Sequence, residues 1–183
     1  MLPAPVNRNM SQDIEHHILE RFEIVEKLGQ GSSGIVWKAI YKKYKQVIVI
    51  KKICDAFTTP TDAKRTLREV LYHQEFSDHE NIVCLLNVIK AKNGKDLYLI
   101  LDYMDTNLHN VIRAKILTLD HIKFITTQLL RAVMYIHSGE VIHRDIKSAN
   151  ILVDADCHIK VILTFLFSLF SISPLKPKFN NIS

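Results

Sequence analysis

The decisive stretch of this sequence is HRDIKSAN, residues 143–150. It follows a long helical segment and precedes a short β-branched run at 151–153. The Asp145 carboxylate can accept a proton from a hydroxyl group, and the Lys147 amine can neutralise charge on a transferring phosphoryl group. Asn150 offers an amide oxygen of the kind that binds magnesium. The loop therefore predicts chemistry at a phosphoryl group.

A glycine-rich segment, GQGSSG at 29–34, lies far upstream of this loop. Alone it is weak evidence, because dinucleotide-binding folds use a similar spacing where a helix begins. Here the residues that follow, 35–40, are β-branched and aromatic, which is typical of a strand. A glycine turn between antiparallel strands can fold over phosphates and offer them backbone N–H donors. We therefore predict a phosphate-binding turn.

Lys51 comes near the end of a β-branched run at 46–53, which we predict to be a strand buried on both faces. A lysine at a strand end is unremarkable by itself. The next predicted helix, however, contains Glu69, and a lysine held beside phosphates needs a carboxylate partner. That helix is predicted over 61–76, with Thr61 as its N-cap. Its apolar stripe is predicted to consist of Leu67, Val70 and Leu71.

The predicted strands and helices are segregated along the chain. Strands are predicted at 22–28, 35–40, 46–53, 82–90 and 97–102, and helices follow at 108–114 and 119–137, with further strands at 151–153 and 158–161. This order predicts an α+β, bilobal fold joined near 102–107. We divide the chain into a lead-in (1–20), a β-rich lobe (21–104), part of a helical lobe (105–161) and an apolar tail (162–183).

Composition excludes several other classes of protein. Hydrophobic residues make up 48% and charged residues 23%, as in an ordinary globular chain. The basic run at 41–45 is interpreted as a solvated turn, so no nucleic-acid partner is predicted. The apolar run at 161–172 is shorter than the ~20 residues that span a bilayer. The three scattered cysteines predict an intracellular protein, in the cytoplasm, the nucleus or both.

In combination, these motifs resemble the eukaryotic protein kinases, and in finer detail the atypical extracellular-signal-regulated branch of the mitogen-activated protein kinases. Besides the loop, the segments that carry the resemblance are LGQG (28–31), GIVWKA (34–39), KKICDAF (51–57), RTLRE (65–69), QEFSDH (74–79), MDTNL (104–108) and HSG (137–139). The resemblance extends over about 21–161.

The resemblance implies a serine/threonine kinase that uses ATP and Mg²⁺ and acts on proteins, at serine or threonine before proline. Its catalytic residues would be Lys51, Glu69, Asp145 and Lys147, with Asn150 as a metal ligand. The adenine would lie between Leu28, Val36, Val49 and Leu152, behind the gatekeeper Leu101. The hinge backbone at Asp102 and Met104 would bind the adenine edge, the glycines Gly29, Gly31 and Gly34 would cover the phosphates, and Asn107 would lie near the ribose.

Three single residues depart from the family pattern. Ser33 replaces an aromatic residue at the tip of the glycine turn. Val49 replaces an alanine above the adenine, so two extra methyl groups crowd the pocket roof. His73 replaces an apolar packing residue, and we expect it to be partly solvated.

The largest departure follows Val161. In the family, this strand leads within two residues to Asp-Phe-Gly, whereas here the chain continues Ile162-Leu163-Thr164, and no aspartate follows Asp156. We expect an incomplete helical lobe that lacks the second magnesium ligand. The tail is interpreted as a retained intron or an alternative transcript end, with a membrane or partner anchor as the alternative.

Two functions follow. The family features predict a protein kinase, whereas the missing metal ligand predicts a non-catalytic isoform that binds nucleotide weakly or binds partners. The predicted helix at 119–137 carries apolar residues on more than one side, so we also expect several of them to be exposed.

Overall fold

The computed structural model describes residues 13–31 and 34–163, which form two compact units. The first unit contains the described residues up to Thr66 together with Leu85–Tyr103. The second contains Leu67–Cys84 together with the described residues from Met104. A sheet dominates the first unit and helices dominate the second, so the predicted α+β class is confirmed.

The first unit is built on a five-stranded antiparallel sheet in the order β1-β2-β3-β5-β4. A short helix, α1 (His16–Arg21), precedes the sheet. The strands are β1 (Phe22–Gly31), β2 (Gly34–Tyr41), β3 (Gln46–Ile53), β4 (Leu85–Lys90) and β5 (Leu97–Asp102). β3 and β5 have the predicted bounds, and the turn between β4 and β5 contains Gly94 with a φ of 71°.

One face of this sheet carries the core of the first unit. Trp37, Ile48, Ile50 and Tyr98 have no exposed surface. The prediction that β3 is buried on both faces is wrong, because Val47 on its other face is 38% exposed. Successive side chains of a strand point to opposite faces, and only one face of β3 meets this core.

Helix α2 (Pro60–Phe76) begins one residue earlier than predicted. Its cap is Thr59 rather than the predicted Thr61, since the Asp62 N–H donates to Thr59 Oγ1 over 3.1 Å. The predicted apolar stripe is wrong as well: Leu67 is 56% exposed, whereas Tyr72 and Phe76 are buried in the core of the second unit.

Besides most of α2 and a short 3-10 helix at Ser148–Asn150, the described part of the second unit contains two further helices and a small three-stranded sheet. Helix α3 (Leu108–Ala114) has the predicted bounds, and α4 (Leu119–Ser138) ends one residue later than predicted. The sheet has the order β6 (Thr106–Asn107), β7 (Ile151–Val153), β8 (Ile159–Val161). Ile82, which was predicted to begin β4, instead forms a parallel bridge with Val161.

A buried polar network ties α4 to the β7–β8 hairpin. Gln128 Oε1 accepts from the Ile159 N–H (3.0 Å) and from Asn81 Nδ2 (2.9 Å), and Gln128 Nε2 donates to the Cys157 carbonyl (2.9 Å). Buried amides stabilise a fold when they are hydrogen-bonded in this way. The network fixes the hairpin on which the 143–150 loop ends.

Gly139 caps α4, although its φ of −86° needs no glycine. A Cβ atom there would lie 2.8 Å from the Phe76 ring, so the position requires a small residue. Helix α4 also exposes large apolar side chains, as predicted: Ile122 is 47% exposed, Phe124 45% and Leu130 57%. Ile125 and Ile136 face the core.

Within the described residues, no helix is both long and apolar enough to cross a membrane.

Candidate active site

The predicted site residues are divided between the two units. The first unit holds Leu28, Gly29, Gly31, Gly34, Val36, Val49, Lys51, Leu101 and Asp102, and the second holds Glu69, Met104, Asn107, Asp145, Lys147, Asn150 and Leu152.

The glycine turn joins β1 and β2, and Gly31 pairs with Gly34 across it. Because a strand follows the turn, the alternative of a dinucleotide-binding turn that opens a helix is excluded. Gly34 has a φ of +118°, and a Cβ atom there would lie 2.0 Å from the Lys52 carbonyl oxygen. A Cβ on Gly31 would meet nothing within 4 Å. Ser33, at the predicted tip, lies outside the described residues.

Four predicted residues share one face of the sheet, opposite the Trp37 core. Lys51 pairs with Val36 on β2, and Val49 pairs with Leu101 on β5. Since directly paired residues lie on the same face and residues two apart along a strand do too, all four form one patch. The sheet thus brings together the predicted adenine contacts and the predicted phosphate-binding lysine.

The segment predicted to be the hinge is attached to this sheet by a contact that the sequence analysis missed. Lys38 Nζ lies 3.0 Å from the Tyr103 hydroxyl and 4.4 Å from the centroid of its ring. Tyr103 stands between the predicted hinge residues Asp102 and Met104. Lys38 and Tyr103 are 65 residues apart, and no local pattern signals such a pair.

The second unit carries the 143–150 loop. Lys147 Nζ lies 2.9 Å from Asp145 Oδ1. Asn150 Nδ2 donates to Asp145 Oδ2 (2.7 Å) and to the Asp145 carbonyl (2.8 Å). The hydrogen bond from Lys147, aided by Asn150, holds the pKa of Asp145 below its usual range. The carboxylate is therefore ionised and fixed in position, so that it can accept a hydrogen bond from a hydroxyl group.

His143 is a structural residue of the loop. It is 2% exposed, its Nδ1 accepts from the Asp145 N–H (3.2 Å), and its Nε2 lies 2.8 Å from the Ile162 carbonyl. These partners assign the proton to Nε2, since Nδ1 must accept. Burial lowers the pKa of His143, so the ring is neutral.

Asn107 and Leu152 are direct partners in the β6–β7 pair. The structure thus brings together the residues predicted to lie near the ribose and under the adenine. Asn107 has another contact, because its Oδ1 accepts from the Asn110 N–H (3.0 Å) and caps α3. This cap was not predicted.

Two buried polar residues lie one turn apart on α2. Glu69 is 4% exposed, and a buried carboxylate requires polar partners. His73 is 1% exposed with its Nδ1 3.3 Å from the Val83 carbonyl, so the expectation that it is partly solvated is wrong. The Val83 carbonyl is the polar partner of the His73 ring, in place of the expected solvent.

The residues present do not fit the magnesium site that the family resemblance implies. Leu163, the second residue after β8, is 1% exposed and belongs to the apolar core of the second unit. In the described part of the chain, no group of three or more histidine, cysteine, aspartate or glutamate residues could hold a metal ion.

Comparison with known proteins identifies the family. A sequence model described as the protein kinase domain matches residues 22–163. Extracellular signal-regulated kinase 2 of Dictyostelium discoideum is 53% identical over 151 residues, which are 82% of this chain and 41% of that protein. Mitogen-activated protein kinase 15 of Xenopus laevis is 51% identical over 150 residues, 81% of this chain and 26% of that protein.

A third relative, Extracellular signal-regulated kinase 7 of Drosophila melanogaster, is 44% identical over 151 residues, 82% of this chain and 16% of that protein. The chain therefore spans less than half the length of each of these three relatives. The match to the kinase domain nevertheless covers most of the chain and includes both halves of the site. The chain belongs to the protein kinase family, among the mitogen-activated protein kinases.

Proposed function

We propose that the function of this protein is that of a serine/threonine protein kinase, which transfers a phosphoryl group from ATP to a protein hydroxyl, before proline in the substrate. The observation that carries the proposal is the Asp145 carboxylate, held by Lys147 and Asn150 in a loop of the kinase family. A fixed, ionised carboxylate can orient a substrate hydroxyl and accept its proton.

In this proposal the first unit binds the nucleotide. The patch of Val36, Val49 and Leu101 contacts the adenine with Leu28, and Leu152 contributes from the second unit. Backbone groups at Asp102 and Met104 bind the adenine edge. The glycine turn and Lys51 contact the phosphates, with Glu69 as the partner of Lys51. Lys147 then neutralises charge that develops on the transferring group.

We propose a second candidate function, which is argued from Leu163. Magnesium supplies charge stabilisation between the phosphates when it is bound, and a buried leucine cannot be its ligand. We propose that this polypeptide, with Leu163 in place, binds adenine nucleotide weakly and does not transfer phosphate. The kinase activity would then belong to a product of the same gene that carries Asp-Phe-Gly at this point.

The two candidates are separated by a transfer assay together with transcript sequencing. We expect the purified 183-residue chain to show no phosphate transfer to a basic protein substrate. Transfer that is lost in Asp145→Asn would show that the chain itself is active and would exclude the second candidate. Transcripts that continue from the Val161 codon into Asp-Phe-Gly, and whose product is active while the 183-residue chain is not, would support the second.

The cellular setting is part of the proposal. Cys54, Cys84 and Cys157 form no disulfide with one another, which supports an intracellular location.

A further inference from the structure

An apolar groove lies between α3 and α4 in the second unit, away from the 143–150 loop in sequence. It encloses about 460 Å³ and is lined mainly by aliphatic side chains: Leu108, Ile112, Leu117, Ile122 and Ile125, with Lys115 and Thr126 at its edge. Ile112 is 51% exposed and Ile122 47% exposed. The volume is in the range of pockets that bind a ligand or a few large side chains, and apolar surface of this kind favours an occupant.

The chain itself provides an occupant of matching chemistry. Leu163 is followed by Thr164, Phe165, Leu166, Phe167, Ser168, Leu169, Phe170, Ser171 and Ile172, a segment with six large apolar residues and no charge. We name residues 164–172 the apolar segment. A peptide of this composition is driven from water onto apolar surface.

The point where the apolar segment leaves the described chain belongs to a hydrophobic cluster that also includes part of the groove. Leu163 is buried in the same hydrophobic cluster as Ile125, and Leu108 and Leu117 pack against that cluster. Ile125, Leu108 and Leu117 also line the groove. Nine extended residues span about 30 Å, so the segment can reach across the groove from Leu163.

We propose that the apolar segment of this chain binds in the α3–α4 groove, with phenylalanine and leucine side chains packed on Ile112, Leu117 and Ile122. The interaction is intramolecular, so its effective concentration is high and it does not require a partner. It is independent of nucleotide binding.

Proteolysis of the full 183-residue chain tests this proposal. Chymotrypsin cleaves after Phe165, Phe167 and Phe170 when they are accessible, and each product is identified by its mass. We expect slow cleavage at these sites in the unmodified chain. Ile122→Glu places a charge in the groove and should raise the cleavage rate about tenfold, the effect of losing one buried aliphatic contact. Leu119→Glu is the control: it changes another exposed aliphatic residue of α4 that does not line the groove, and cleavage should stay unchanged.

A second variant tests the proposal even if Ile122→Glu fails to fold. Phe167→Glu alters only the apolar segment, so the described core keeps all its residues. We expect faster hydrogen exchange over 108–126 in this variant, with no change in exchange over β3. Three results would overturn the proposal: fast cleavage of the unmodified chain, equal effects of Ile122→Glu and Leu119→Glu, or protection that is lost on dilution to concentrations at which the chain is monomeric. The last would mean that a second copy occupies the groove.

Discussion

Val49 is a position at which the larger side chain has a predictable effect on nucleotide affinity. Its side chain lies on the same face of the sheet as Lys51 and pairs with Leu101. Under the proposed function this face meets the adenine, and two extra methyl groups there reduce the space for the base.

We therefore predict that Val49→Ala strengthens ATP binding several-fold, in line with the ~1–3 kcal/mol that overpacking costs. Isothermal titration calorimetry with ATP measures the effect. Val47→Ala, two residues earlier on the same strand and 38% exposed, is the control and should leave affinity unchanged. Equal affinities for Val49→Ala and the unmodified chain would refute crowding at Val49.

His143 makes the stability of the second unit depend on pH. Its pKa is lowered by burial from its usual 6.5, so below pH 6.5 the unfolded chain binds more protons than the folded chain. Stability is then full above pH 6.5 and falls as the pH is lowered towards the pKa of the folded state. The pKa of His79 is also lowered by burial, so it adds to the same trend.

We predict that the melting temperature falls as the pH is lowered from 7.5 to 5.5. His143→Gln should make this decrease smaller, and His79→Gln should reduce it by a further, independent amount. Differential scanning calorimetry at several pH values measures both. A melting temperature that is constant over this range would contradict the neutral, buried state of His143.

At the scale of single elements, the glycine turn shows how different two glycines of one motif can be. Gly34 requires glycine for two reasons, its φ of +118° and the approach of the Lys52 carbonyl to 2.0 Å from a Cβ atom. Gly31 faces open space. A strained backbone and a steric clash together lower the free energy of unfolding by about 2 kcal/mol or more.

We predict that Gly34→Ala lowers the melting temperature by several degrees and weakens ATP binding, since it displaces the end of β2 from β3. Gly31→Ala should leave stability nearly unchanged. Paired thermal melts and ATP titrations of the two variants test this. If both variants melt alike, the φ of Gly34 does not constrain the turn.

Elements whose signals are local were predicted well from sequence. β3, β5, β7 and α3 have the predicted bounds, because β-branched runs, turn residues and helical spacing are contained within each segment. The buried face of α2 was predicted wrongly, since Thr66, Glu69 and His73 are polar and an apolar stripe does not reveal them. The bridge between Ile82 and Val161 joins residues far apart in sequence, which no local pattern reports.

In the candidate site, too, the contacts between side chains were harder to predict than the residue types. The residue types and spacing of 143–150 predicted roles for Asp145, Lys147 and Asn150 towards a substrate, and the contacts of Asp145 with Lys147 and Asn150 were not predicted. The Lys38–Tyr103 contact and the cap made by Asn107 were missed, since they arise from strand packing and from helix capping respectively.

At the scale of the whole molecule, α4 leaves a stripe of exposed apolar side chains outside the groove. Leu130 is 57% exposed and Met134 71% exposed, one turn apart. Surface patches of this kind promote association between molecules. The apolar segment is a second source of association when it is exposed, because it is free of charge and rich in β-prone residues.

We predict that the 183-residue chain self-associates, and that Leu130→Lys with Met134→Lys shifts it towards monomer. Sedimentation velocity over a range of concentrations measures this. Ser138→Lys together with His137→Lys, at the end of the same helix, controls for added charge. A chain that is monomeric and melts cooperatively without these substitutions would contradict the prediction.

The central claim is that this protein has the nucleotide-binding sheet and catalytic loop of a kinase, while Leu163 leaves it without a magnesium site. Calorimetric titration of the 183-residue chain with ATP, once in EDTA and once in excess Mg²⁺, tests that claim most directly. We predict weak binding that is lost in Lys51→Met and is not tightened by Mg²⁺. Binding that requires Mg²⁺, or that Mg²⁺ tightens about tenfold or more, would contradict the claim.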